Sequence, residues 1–309
     1  MKTFLFVLFL LVSKAVTAGS TTVYIEHKVP VGSYNMYAKE YPGNEPTLIL
    51  LHGYPDNHTL YDSLLPHLEG RHVIVFDFMG WGGSDKPKPK LYHYSAEQQE
   101  LEIDAVVNYF QLHSVILVPH DMSGPAAINW SLDHKDKVAG LVILNTFYHK
   151  TKNRKLPFTG VLLQTPIVRN FIILTSLPNF SFNTVLKLTL KDFFVKKENR
   201  EAFVPGFIKP FKGYAAKRAF FRTVSTKKIA KKDLARLEEL KQFGKPVSII
   251  FGSGDKLLGE KMANEFHELF KGSELHLIAS AKHYPQIDAA KEVGELMMQF
   301  VNKNTSSLK

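Results

Sequence analysis

Residues 115–131 read Val-Ile-Leu-Val-Pro-His-Asp-Met-Ser-Gly-Pro-Ala-Ala-Ile-Asn-Trp-Ser. The apolar, mostly β-branched run Val115 to Val118 predicts a strand buried on both faces. A turn-forming stretch, Pro119 to Gly124, follows, and Ala126-Ala127-Ile128 begins a helix. A strand that bends sharply into a helix offers one polar side chain at the bend. Here it is Asp121, where a serine would serve acyl transfer. A carboxylate attacking a carbonyl gives a reactive anhydride, whereas one attacking saturated carbon gives a stable ester and expels an alkoxide or halide. Asp121 therefore narrows the chemistry to displacement at sp³ carbon.

The flanking residues offer one rival. Ser123 falls two residues into the predicted helix, and its frame Asp-Met-Ser-Gly-Pro lacks Gly-x-Ser-x-Gly spacing. It is read as a small residue that lets helix and strand pack. His120 precedes the bend, which predicts a packed core histidine pointing away from the site.

Outward from this stretch, Thr47–Leu51 is a continuous apolar run ending at His52-Gly53, and His72–Phe78 is another. Val138–Leu144 ends at Asn145, and Val247–Phe251 and Leu275–Ala279 complete the series. Val23 to Tyr41 reads as a hairpin, and residues 95–112 as an amphipathic helix. From 146 to about 240 the strand pattern stops. The chain there is helical, aromatic and basic, with turns expected at Pro157, Pro178, Pro205 and Pro210. This predicts an α/β protein with a doubly wound, mostly parallel sheet. Core segments 19–145 and 241–309 flank a helical lid, 146–240, inserted after the sixth strand.

Three residues at the ends of apolar runs compose the chemistry: Asp121, Asp255 in Phe251-Gly252-Ser253-Gly254-Asp255, and His283 in Ala281-Lys282-His283-Tyr284-Pro285. Singly, they read as an N-cap, a turn residue and a surface histidine; jointly, they sit where one sheet edge gathers ligands. Asp121 would form the ester, His283 would draw a proton from water attacking its carbonyl, and Asp255 would hold the imidazole. Backbone N–H groups of Tyr54 and Met122 would form the oxyanion hole.

Composition limits the alternatives. The 309 residues suffice for one well-buried domain, and there is no cysteine, which excludes disulfides and thiolate metal sites. The histidines lack ligand spacing, and no phosphate loop or dinucleotide fingerprint is present, so neither metal nor cofactor is expected. Residues 1–18 read as a secretory leader: Lys2, an apolar run Phe4–Val12, and Val16-Thr17-Ala18 before Gly19, implying a secreted or periplasmic protein. Residues 150–241 hold 21 Lys/Arg against 6 Asp/Glu, a balance of +15 within an overall +10. That basic surface suits solvent, an anionic membrane or an acidic substrate; no motif accompanies it that would read nucleic acid.

His52-Gly53-Tyr54-Pro55, Asp77 to Pro87, His120 to Gly124 and the flanks of Asp255 and His283 resemble the epoxide hydrolase and haloalkane dehalogenase branch of the α/β-hydrolase superfamily. The resemblance covers residues 22–302 apart from the lid. It implies an α/β-hydrolase fold of eight strands and a small apolar-to-amphipathic substrate. Pro119 departs from the pattern, replacing the usual glycine. Dehalogenases of this kind hold halide on a Trp after the nucleophile and on an Asn after His-Gly or a lid Trp; this chain has Met122 and Tyr54, and its tryptophans are Trp81 and Trp130. Asn145 matches a polar residue some of them carry. Epoxide hydrolases share His-Gly-aromatic-Pro and use lid phenols as acids. Tyr214 is the preferred donor, with Tyr148 or His149 as a second, although packing is the better reading of Tyr148. Epoxide hydrolysis leads, dehalogenation with an atypical halide site is the alternative, and a non-catalytic binding protein on the same fold is the alternative of another class.

Overall fold

The computed structural model describes residues 12–13, 23–157, 160–161, 165–175, 178–226 and 231–305. The predicted leader therefore lies outside the described residues except for Val12 and Ser13.

The hairpin expected near the start is β1 (Tyr24–Val31) and β2 (Tyr34–Tyr41). The apolar runs become β3 (Asn44–Leu51), β4 (Arg71–Phe76), β5 (Val115–Asp121), β6 (Val138–Thr146), β7 (Val247–Gly252) and β8 (Glu274–Ile278). Their order in the sheet is β1-β2-β4-β3-β5-β6-β7-β8, and Val12–Ser13 adds a two-residue strand beyond β1. β1, β2 and β4 pair antiparallel, and every pairing from β4 through β8 is parallel. β3 and β5 lie side by side with Leu51 opposite Pro119, so the loops leaving both strands open at one sheet edge. Leu48 to Leu51, Val115 to Val118 and Leu141 to Leu144 are shut from solvent, as strands covered on both faces must be.

Helices cover the faces. α1 (Ala96–Tyr109) starts at Ser95, whose hydroxyl accepts the Gln98 N–H at 3.3 Å, and it buries Ile103, Val106 and Val107. α2 (Gly124–Asp133) leaves the β5 bend. Between β6 and β7 come α3 (Pro166–Thr175), α4 (Asn179–Thr189), α5 (Lys197–Ile208) and α6 (Tyr214–Thr226). Pro205 makes no turn: it lies inside α5, while the next carbonyl, Gly206, accepts the Asn57 side-chain amide at 3.1 Å. α7 (Glu260–Leu269) and α8 (Ala290–Thr305) complete the chain. Among the described residues, no helix is long and apolar enough to cross a membrane.

An aromatic seam joins the inserted helices to the sheet. Trp81 meets Phe211 at 5.3 Å between centroids, Phe220 meets Phe182 at 5.0 Å, and Tyr54 meets Phe220 at 4.6 Å. Such pairs contribute about 0.5–1.5 kcal/mol each beyond area burial. The predicted strand 72–78 stops at Phe76 because Asp77 anchors a loop instead. Its carboxylate accepts the N–H groups of His58 and Gly83, both at 2.7 Å, and the His58 ring at 2.8 Å. Burial opposes its ionisation, but His58 and these N–H groups hold it well below the usual carboxylate range. Gly82, at φ +44°, crosses over that carboxylate; a Cβ there would lie 1.9 Å from it.

Candidate active site

The bend at Asp121 has the geometry its position demands. Asp121 is at φ +47°, a left-handed conformation uncommon for a side chain larger than glycine. Ser123 closes the turn: it is fully buried, accepts the His120 N–H at 3.0 Å and sits 2.8 Å from the His120 carbonyl. A buried hydroxyl bound so closely to backbone is a structural part of the bend. Thr146, at the end of neighbouring β6, donates to the Asp121 carbonyl.

The β3 loop supplies the other wall. His52 is buried, accepts the Phe78 N–H at 3.0 Å through Nε2, and donates from Nδ1 to the Gly53 carbonyl at 2.9 Å. Gly53 must lack a side chain, because a Cβ there would lie 2.5 Å from that of Asp121. This close approach lets the Tyr54 N–H donate to Asp121 Oδ2 at 2.9 Å. Met122 follows at the bend, half-buried against the core. The Tyr54 ring lies between Trp81 and Phe220, and its hydroxyl makes no hydrogen bond among the described residues. Burial first, and then the Asp121 charge, push that phenol well above its ordinary value, so it stays protonated.

Asp255 and His283, which follow β7 and β8, meet: His283 Nδ1 donates to Asp255 Oδ2 at 2.8 Å, with both side chains 2% exposed. Asp255 Oδ1 accepts the Leu257 N–H at 2.8 Å. Burial raises Asp255, but the imidazolium charge and hydrogen bond, with the Leu257 and Asn145 donors, bring it down to about 2. Burial lowers His283, and Asp255, followed by Asp121 and Asp56, raises it to about 9. His283 Nε2 is buried without a hydrogen-bond partner among the described residues. Phe193 covers the ring at 4.6 Å.

The remaining expected donors are not gathered here. Asn145 braces Asp255: its amide donates to Asp255 Oδ2 at 3.0 Å and accepts the Gly252 N–H at 2.7 Å, so both ends of the amide are engaged. The Tyr148 hydroxyl donates to Asn129 at 2.8 Å in the core. His149 pairs with Glu265 at 2.8 Å. Tyr214, the preferred donor, begins α6 with 62% of its surface exposed, beside Arg218.

His120 is buried as expected, but it does not point away from the site. Its ring lies 4.9 Å from that of His283, and its Nε2 is 2.8 Å from the His283 carbonyl. Asp56 sits 3.5 Å from His120 Nδ1 and accepts the Tyr284 hydroxyl at 2.7 Å. Asp56 and Tyr284 were not singled out from sequence; their only sequence signal is adjacency to His52-Gly53-Tyr54-Pro55 and to His283. Among the described residues, no group of three His, Asp or Glu side chains could hold a metal ion.

Residues 46–290 match the α/β hydrolase fold family. Haloalkane dehalogenase 1 of Mycobacterium tuberculosis (strain ATCC 25618 / H37Rv) is 29% identical over 266 residues, covering 82% of this chain and 83% of its own. Epoxide hydrolase 3 of Xenopus tropicalis is 24% identical over 284 residues, covering 84% and 72%. Among solved structures, the haloalkane dehalogenase DatA from Agrobacterium tumefaciens C58 superposes with a TM-score of 0.76 at 17% identity, covering 90% of this chain and 96% of that one, a likeness of fold.

Proposed function

Because the chain belongs to the α/β hydrolase fold family, with haloalkane dehalogenases and epoxide hydrolases among its relatives, we propose that it is an exported hydrolase working through an ester on Asp121, with epoxides as its substrates and diols as products. The observation that carries the reading is the carboxylate itself: at a left-handed bend, Asp121 rests one oxygen on the Tyr54 N–H and keeps the other for attack.

Asp121 attacks an epoxide carbon, the C–O bond breaks, and the alkoxide takes a proton. With Tyr214, Tyr148 and His149 placed elsewhere, the phenol that suits this transfer is Tyr54. Water then attacks the ester carbonyl, giving its proton to His283, and the oxyanion forms against the Tyr54 and Met122 amides. Collapse breaks the ester C–O bond, the departing oxygen takes the proton of the new carboxyl to give the diol and the Asp121 carboxylate, and the imidazolium proton returns through solvent to the Tyr54 phenolate. The electrostatics favour this order. Esterification cancels the Asp121 charge, one of those that raise His283, so the imidazole sheds its proton more readily when a base is required. Dehalogenation remains the second reading through the relatives' activity, but a halide needs at least two converging donors, and no indole N–H follows Asp121.

A single turnover of styrene oxide in H₂¹⁸O tests the proposal. Label should appear in the Asp121 peptide, and His283→Gln should accumulate the ester as a mass adduct on that peptide. Full turnover by Asp121→Asn at the first time point would sink the mechanism.

A further inference from the structure

Arg154 lies in the segment leaving β6, past Tyr148 and His149. Its guanidinium sits over the Phe147 ring, 3.5 Å from the centroid. Phe147 directly follows Thr146, whose hydroxyl donates to the Asp121 carbonyl. The Lys155 N–H donates to the Leu257 carbonyl at 3.0 Å, and the Leu257 N–H donates to Asp255 Oδ1 at 2.8 Å. Arg154 is thus bracketed between the strand end carrying Asp121 and the turn carrying Asp255.

Its surroundings give the cation no anion in direct contact. Arg154 is half-buried and, among the described residues, makes no hydrogen bond and no ion pair. Burial pushes the guanidinium below its ordinary value, and Asp121 is the carboxylate whose charge opposes that. Asp121 is therefore near enough to act on Arg154, yet the two are not in salt-bridge contact. A desolvated cation without an anion in contact is costly, and an aromatic face offsets only part of that cost. Stacking occupies one face of the guanidinium and leaves its in-plane N–H donors, which match a carboxylate fork to fork. The +15 balance of residues 150–241 favours the approach of an anion to this side of the molecule.

We propose that Arg154 is an anion subsite beside the nucleophile, and that the preferred substrates carry a carboxylate a few bonds from the reacting carbon: small epoxy acids before neutral epoxides. The substrate class rests on reading Asp121 as the ester-forming nucleophile; the anion subsite does not.

The test compares 3-phenylglycidate with 3-phenylglycidamide, of similar shape but uncharged. In the wild type, kcat/KM for the acid should exceed that for the amide by roughly ten- to a hundredfold, the range expected of hydrogen bonds to a charged group. Arg154→Met should bring the ratio close to one, and Arg154→Lys should leave it between. A merely structural role for Arg154 would depress both substrates together and keep the ratio. A wild-type ratio near one, or a ratio unchanged in Arg154→Met, overturns the substrate class. Calorimetry with phenylacetate and phenylacetamide needs no turnover: phenylacetate should bind the wild type and not Arg154→Met, and absence of that difference overturns the subsite. If chloride displaces phenylacetate more effectively than acetate at equal ionic strength, the subsite serves a departing halide and the epoxy-acid class falls. If phenylacetate binds through Arg154 while neither glycidate derivative is turned over, the Asp121 reading fails and the subsite stands.

Discussion

The Tyr54 N–H donates to Asp121 Oδ2 at 2.9 Å across a gap that only glycine at position 53 permits. Asp121, the proposed nucleophile, is oriented from outside its own loop: β5 supplies the carboxylate, and the β3 loop holds one of its oxygens. The parallel pairing of β3 with β5 makes this possible, since it brings the two loops to the same sheet edge.

Gly53→Ala tests that arrangement. Its new methyl would sit 2.5 Å from the Asp121 Cβ, so the loop or the carboxylate must shift. A displacement approaching an ångström costs on the order of a hundredfold in rate. The loss should appear in the rate of ester formation, read by quenched-flow mass spectrometry. Ester formation within a few-fold of wild type would show that the close approach does not orient the nucleophile.

Asn145→Leu tests a different step. Asn145 donates to Asp255 and accepts from Gly252, so leucine removes one brace from the carboxylate and leaves a buried N–H without its acceptor. Stability should fall by about 1–3 kcal/mol in denaturant unfolding. Ester hydrolysis should slow more than ester formation, because Asp255 acts through His283, whose proposed role is in the second step. An equal slowing of both steps would reassign Asn145 to overall packing.

The fold was legible because apolar runs closed by turn residues have few ways to pack. Each predicted parallel strand appears within about three residues at either end, and the insertion after Thr146 stands where alternation ceased. Asp255 and His283 could be read because chain order and strand ends confine them to one edge. The lid residues could not. Tyr148, His149 and Tyr214 were chosen by residue type, yet the partner of each is set by helix rotation, which a basic, Phe-rich stretch leaves open. Pro205 misled for a related reason: the surrounding fold keeps a helix through it and supplies Asn57 to the neighbouring carbonyl. The proposed role of Arg154 carries no local signal, since it depends on which groups fold around the side chain.

Tyr54→Phe separates the two leaving groups. The phenol is held protonated by burial and by the Asp121 charge, and its hydroxyl is unengaged among the described residues. If it protonates the opening epoxide, its loss should slow ester formation from styrene oxide by about a hundredfold to ten-thousandfold, the usual range for a general acid. The backbone N–H remains, so the oxyanion contact survives. Ester formation from 1-bromohexane, whose bromide needs no proton, should fall far less. Equal losses on both substrates would remove Tyr54 from the acid role and make the ring a packing element.

The His283–Asp255 pair makes stability depend on pH with a definite sign. His283 is raised from 6.5 to about 9 in the folded protein, so its contribution is complete below about pH 6.5 and lost as pH rises through about 9. Asp255 is lowered from 3.8 to about 2, so its contribution is present above about pH 4 and lost as pH falls through about 2. Both shifts describe one interaction and are counted once. Asp255→Asn should therefore cost most between about pH 4 and 6.5, on the order of 3–5 kcal/mol for a broken buried pair. Denaturant unfolding of both proteins from about pH 4 to 10 should show the difference shrinking from pH 6.5 upward, because neutral His283 no longer compensates the buried carboxylate. A difference constant from pH 5 to 10 would mean that the imidazole is not held as a cation beside Asp255, and the proposed release of the His283 proton on Asp121 esterification would lose its footing.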